Sequence, residues 1–126
     1  MKLSSIIFIL CGFFGCSVEH KIDTTKTKLI TVSFYEDHKL KETEIFGENS
    51  TQFNQVLDWL KENEKNWNPQ MATIAPGKAI ISGENFTLNI QQGFITLNYE
   101  HAGGEYRQLV KSIGVGEFNF ILERRP

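Results

Sequence analysis

The chain has 126 residues and a formal net charge of −2, with 40% hydrophobic and 22% charged residues. This composition fits one globular domain with a single modest core, and it excludes a disordered chain. It carries neither the basic excess of a nucleic-acid footprint nor a long acidic tail.

Met1 and Lys2 make a short positive start, and Leu3 to Phe14 (LSSIIFILCGFF) is a nearly unbroken apolar run. The run is shorter than the ~20 residues a helix needs to cross hydrocarbon. It has the length of the apolar region of a secretory signal. Gly15 and Cys16 follow, then a polar stretch from Ser17 to Lys28.

The segment Phe13-Phe14-Gly15-Cys16 resembles the lipobox of bacterial lipoprotein signals. That resemblance implies acylation of the Cys16 thiol and cleavage before it, so that Cys16 opens the mature chain. Ser17 after the cysteine resembles the outer-membrane sorting class of the same family. The other reading is ordinary secretion, because Gly15 and Ser17 satisfy the small-x-small rule for a cut after Ser17. A lipid would explain retention physically: each buried methylene contributes ~0.8 kcal/mol, and stable anchoring takes more than one chain. Ser17 to Lys28 then reads as a tether reaching ~40 Å when extended. The expected organisation is a signal peptide over 1–15, a lipidated N-terminus and tether over 16–28, and one domain over 29–126. Both cysteines, Cys11 and Cys16, precede that domain, so it has no internal disulfide and no thiolate metal site.

Leu29 to Tyr35 alternates with Ile30, Val32 and Phe34 on one face, which predicts a strand. Glu36 to Lys39 is a polar turn, and Leu40 to Phe46 returns as an exposed or edge strand. A helix follows over about 50 to 66. Asn49 or Ser50 caps it, Phe53, Val56, Leu57 and Leu60 form its buried face, and Pro69 stops it. After the Pro76-Gly77 turn, Lys78–Ser82, Phe86–Gln91 and Phe94–Tyr99 make a three-strand meander. Tyr106 to Ile113 fits either a strand or a short helix, and Glu117 to Leu122 (EFNFIL) resembles a last strand. The sum is an α+β domain, a mainly antiparallel sheet covered by one main helix.

The residues offer little catalytic chemistry. His20, His38 and His101 sit in the tether, a turn and a glycine-flanked loop, without ligand spacing, and read as solvated histidines. Glu100, His101, Glu105, Tyr106 and Arg107 form the densest polar cluster, around Gly103-Gly104. Acid-base work can be imagined there, with Glu100 or Glu105 as base and Arg107 holding an anion, but the spacing specifies no reaction and a charged loop explains it. Gly114-Val115-Gly116 lacks the rest of a nucleotide loop. Trp59 and Trp67, near the end of the helix, are candidate binding residues, as protein hot spots or as platforms for sugar rings. The alternative is that both rings close the helix onto the sheet.

The expected function is that of a lipid-anchored envelope protein, held by Cys16 at the outer membrane and facing the periplasm. On the secretion reading it is soluble there. It binds without catalysis, cofactor or metal, gripping a protein partner as an inhibitor or immunity protein. The alternatives are a structural or assembly accessory touching peptidoglycan or an outer-membrane complex, and a small enzyme using the Glu100–Arg107 cluster.

Overall fold

The computed structural model describes residues 17–101 and 104–123. The N-terminal apolar run, Cys16 and Gly103 lie outside the described residues. The elements, in chain order, are β1 (Leu29–Glu36), β2 (Lys39–Gly47), α1 (Thr51–Glu62), β3 (Asn68–Pro69), β4 (Ala79–Ser82), β5 (Phe86–Ile90), β6 (Phe94–His101), β7 (Glu105–Ser112) and α2 (Asn119–Leu122). The strands form one open antiparallel sheet in the order β2-β1-β4-β5-β6-β7-β3. The fold is dominated by this sheet, with two short helices.

Local chemistry explains the turns. Asp37 and His38 both lie at positive φ, +52° and +62°, as a two-residue type I′ hairpin requires. The β1–β2 register shifts between Phe34 and Tyr35, so Lys41 is skipped and the edge strand β2 carries a bulge. Ser50 caps α1 by accepting from the Phe53 N–H at 3.1 Å.

The helix stops earlier than its apolar period predicts because its last carbonyls find other donors. The Asn63 N–H donates to Leu60 O, its side-chain amide donates to Trp59 O (2.9 Å), and Trp67 Nε1 donates to Asn63 O (2.6 Å). Asn66 then turns the chain at φ +68°.

Register and alternation divide the sheet into two faces. Val32, Ile81, Leu88, Leu97 and Leu109 are successive partners across it, and all five are buried on the inner face. That face is covered by more than the helix. Phe53, Val56, Trp59 and Leu60 of α1 share the core with Trp67, Phe118 and Ile121, and Val18 and Ile22 pack against it. The C-terminal segment expected as a strand is a turn followed by α2. Phe118 and Ile121, three apart, are its buried residues. Burial at a spacing of three, rather than at every second residue, matches a helical turn packed on the core. The ambiguous segment before it is a strand, β7.

The connection from β3 to β4 crosses the outer face, held by amide side chains. Gln108 Nε2 donates to Gln70 O and Ala72 O. Asn89 donates to Ala75 O and accepts from the Gly77 N–H, both at 2.9 Å, and Gln91 donates to Ala75 O. Thr96, on that face in the neighbouring strand, is fully buried. Gly77 is required by this close approach, since a Cβ there would collide with the Ile90 carbonyl.

Candidate functional site

The polar cluster read from the sequence occupies the β6–β7 hairpin, and the sheet splits it. His101 pairs with Glu105 and Tyr99 with Arg107, which puts these four on the inner side. Glu100 pairs with Tyr106 on the outer side. Glu100 is therefore turned away from His101 and Arg107, while Glu105 shares their face; the register splits the version of the base-plus-clamp arrangement that uses Glu100 and leaves Glu105 on the side of Arg107. The His101 ring stands edge-on to Tyr99 at 6.2 Å.

Both tryptophans are core residues. Trp67 is 0% exposed and Trp59 is 7% exposed. Their rings meet edge to face at 5.9 Å, and Trp59 continues onto Phe118 at 4.9 Å. Trp59 Nε1 donates to Glu117 Oε2 at 2.6 Å, and Glu117 Oε1 accepts from the Gly114 N–H at 2.9 Å. Lys111 lies over the Trp67 ring, 5.7 Å from its centroid, and donates to Lys65 O. Neither indole presents a face for sugar stacking, so the binding role expected for Trp59 and Trp67 gives way to packing. A groove of about 260 Å³ runs beside this cluster, lined by Ile90, Gly93, Ile113, Val115, Phe118 and Leu122.

The segment expected as a plain tether also packs against the domain. Val18 and Trp67 form a two-bond antiparallel bridge, with Val18 N to Trp67 O at 2.7 Å and Trp67 N to Val18 O at 2.9 Å. The His20 N–H donates to Glu64 O at 2.8 Å. His20 itself, expected to be solvated, is 2% exposed, with Trp67 and Tyr99 edge-on at 6.0 and 6.3 Å. Its Nε2 lies 2.9 Å from Leu60 O. A carbonyl only accepts, so Nε2 carries the proton and Nδ1 of the neutral ring is an acceptor. That Nδ1 is buried without a hydrogen-bond partner. Burial holds the His20 pKa below 6.5, the ordinary histidine value, against the opposing pull of the Leu60 carbonyl and the Glu64 carboxylate. A sequence signal existed: Val18, His20, Ile22 and Thr24 alternate with Glu19, Lys21 and Asp23.

What the sequence reading missed is the uneven cover of the outer face. The β5–β7 part lies beneath residues 70–77, whereas the β1–β2 part keeps large apolar side chains in water. Ile45 is 68% exposed, Leu40 58% and Leu29 51%. The register aligns Ile45 with Thr31, Thr43 with Ser33, and Leu40 with Tyr35. Ser33 and Thr43 hydroxyls sit 3.4 Å apart between the two apolar ends. The stripe thus sets exposed apolar side chains on either side of a hydroxyl pair.

No family profile, curated protein or solved structure matches the chain.

Proposed function

We propose that this chain is a small lipid-anchored protein of the cell envelope that grips a protein partner without catalysing a reaction, as an inhibitor or immunity protein does. The lipid on Cys16 holds it at the outer membrane, facing the periplasm. The observation that carries the binding reading is the open outer flank of β1 and β2, where Leu29, Leu40 and Ile45 stand in water around a Ser33–Thr43 hydroxyl pair. Large apolar groups spaced along a rigid sheet lose little side-chain freedom on docking, which favours a tight grip. The polar centre of the stripe suits a protein surface better than an acyl layer, which offers hydroxyls no partner.

Two measurements test this. Intact-mass analysis of the chain extracted from membranes is expected to give an acylated N-terminus at Cys16. A mature chain beginning at Val18, without lipid mass, would overturn the anchor. Envelope fractions passed over the immobilised chain are expected to leave one protein bound at low-nanomolar strength, about −12 kcal/mol. Ile45→Lys is expected to lose it. Equal retention by that variant would overturn the assignment of the surface.

A further inference from the structure

We infer that residues 18–22 form a detachable strap latched by His20, and that protonation of this ring releases the strap from the domain. The strap is fixed to the domain by the packing of Val18 and Ile22 and by few hydrogen bonds: the Val18–Trp67 bridge, the His20 N–H to Glu64 O, and His20 Nε2 to Leu60 O. One of these is a side-chain bond from a titratable ring wedged between Trp67 and Tyr99.

The neutral ring fits this slot. Nε2–H meets a helix-end carbonyl, and Nδ1, which needs no acceptor, is buried without a partner. The protonated ring fits less well, because it places a new N–H on Nδ1, which is buried without a hydrogen-bond partner; the Leu60 and Asn63 carbonyls and Glu64 favour the cation, and burial outweighs them. An ionised donor buried without a partner is costly, and moving the strap into water removes that cost.

The charges around the ring do not cancel this effect. Glu64, just beyond α1, favours the cation, and Lys111 on β7 disfavours it. Lys61 of α1 lines the same small recess as His20 and Glu64. On β6, Tyr99 separates His20 from His101, and Arg107 pairs with Tyr99 from β7. Glu19 and Lys21 of the strap are paired with each other at 4.0 Å.

The sign follows from proton counts. The docked ring binds a proton less readily than the released ring, whose value is about 6.5. Docking is therefore complete above that pH and weakens as pH falls from 6.5 towards the lower value of the docked ring. Under the lipid-anchored reading, on which this consequence alone rests, release sets the reach of the domain. The docked strap holds the domain within two residues of its anchor. The freed strap adds several residues and roughly 20 Å of extended chain.

Amide hydrogen exchange of the full chain, extracted in detergent, between pH 7.5 and 5 tests the latch. Protection factors are taken against the intrinsic rate at each pH, and the His20 ring is titrated in parallel by NMR. The Val18, His20 and Trp67 amides are expected to lose protection by about tenfold per pH unit below 6.5, one proton being taken up per release. Leu88 and Leu97, in the central strands, should stay protected. His20→Gln keeps a donor for Leu60 O and does not titrate there, so its strap protection should be flat with pH. Strap amides that stay protected while wild-type His20 titrates would overturn the latch. So would a loss of protection that persists unchanged in His20→Gln. These readouts do not require the lipid, so failure of the anchor is seen separately, in the intact mass.

Discussion

The two faces of the sheet are covered by different physics. The inner face is closed by packing, with α1, Trp67, Phe118, Ile121 and the Val18–Ile22 strap burying a continuous apolar and aromatic layer. The outer face is closed only over β5, β6 and β7, and there by hydrogen bonds from Asn89, Gln91 and Gln108 to a loop backbone. Over β1 and β2 it is open. The chain thus buries one face and leaves part of the other exposed.

If that division holds, substitutions should sort by face. The largest loss is expected on the inner side, where Trp67→Ala removes a fully buried indole that joins α1, β7 and the strap. It should cost about 3–5 kcal/mol in urea unfolding. Asn89→Ala, on the covered outer flank, leaves the Gly77 N–H without its acceptor and Ala75 O with Gln91 as its remaining side-chain donor. It should cost about 1–3 kcal/mol, and faster exchange should be confined to residues near 75–77. A loss as large as that of Trp67→Ala would mean that the outer cover is part of the core.

Ser50→Ala removes the N-cap of α1 and should cost about 1 kcal/mol by thermal unfolding, as the inner cover loses the hydroxyl's bonds to the Phe53 N–H and Gly47 O but no packing. Ile45→Lys, on the open flank, should change stability by less than about 0.5 kcal/mol. A larger loss would show that Ile45 is packed within the chain and would erase the contrast.

Much of the sheet is legible in the sequence, because one buried face imposes alternation. Ile30-Val32-Phe34, Phe86-Leu88-Ile90 and Ile95-Leu97-Tyr99 each point one way, and their turns carry Gly or a short polar pair. The helix start is legible from Ser50. Its end is not, because it is decided by groups brought from elsewhere, His20 from upstream and Trp67 from beyond the turn. Phe118, Phe120 and Leu122 fit a period of two, while Phe118 and Ile121 fit a helical turn. Five residues do not separate the two patterns, and packing of Phe118 and Ile121 on the core goes with the helical one.

The candidate site was less legible still. Trp59 and Trp67 look the same in sequence whether they bind or pack. The split of Glu100 from His101 depends on pairing register. The open flank exists only because the 70–77 loop covers the other end of the face.

The central claim is that the outer flank of β1 and β2 holds a protein partner. A photo-crosslinking residue placed at position 45 of the full chain, in its own cells, tests it most directly, with position 71 in the covering loop as the control. Met71 is also exposed, so accessibility alone would not separate the two. The account predicts one discrete protein adduct from position 45 and none of that mass from position 71. Adducts of the same kind from both positions, or none from position 45, would contradict it.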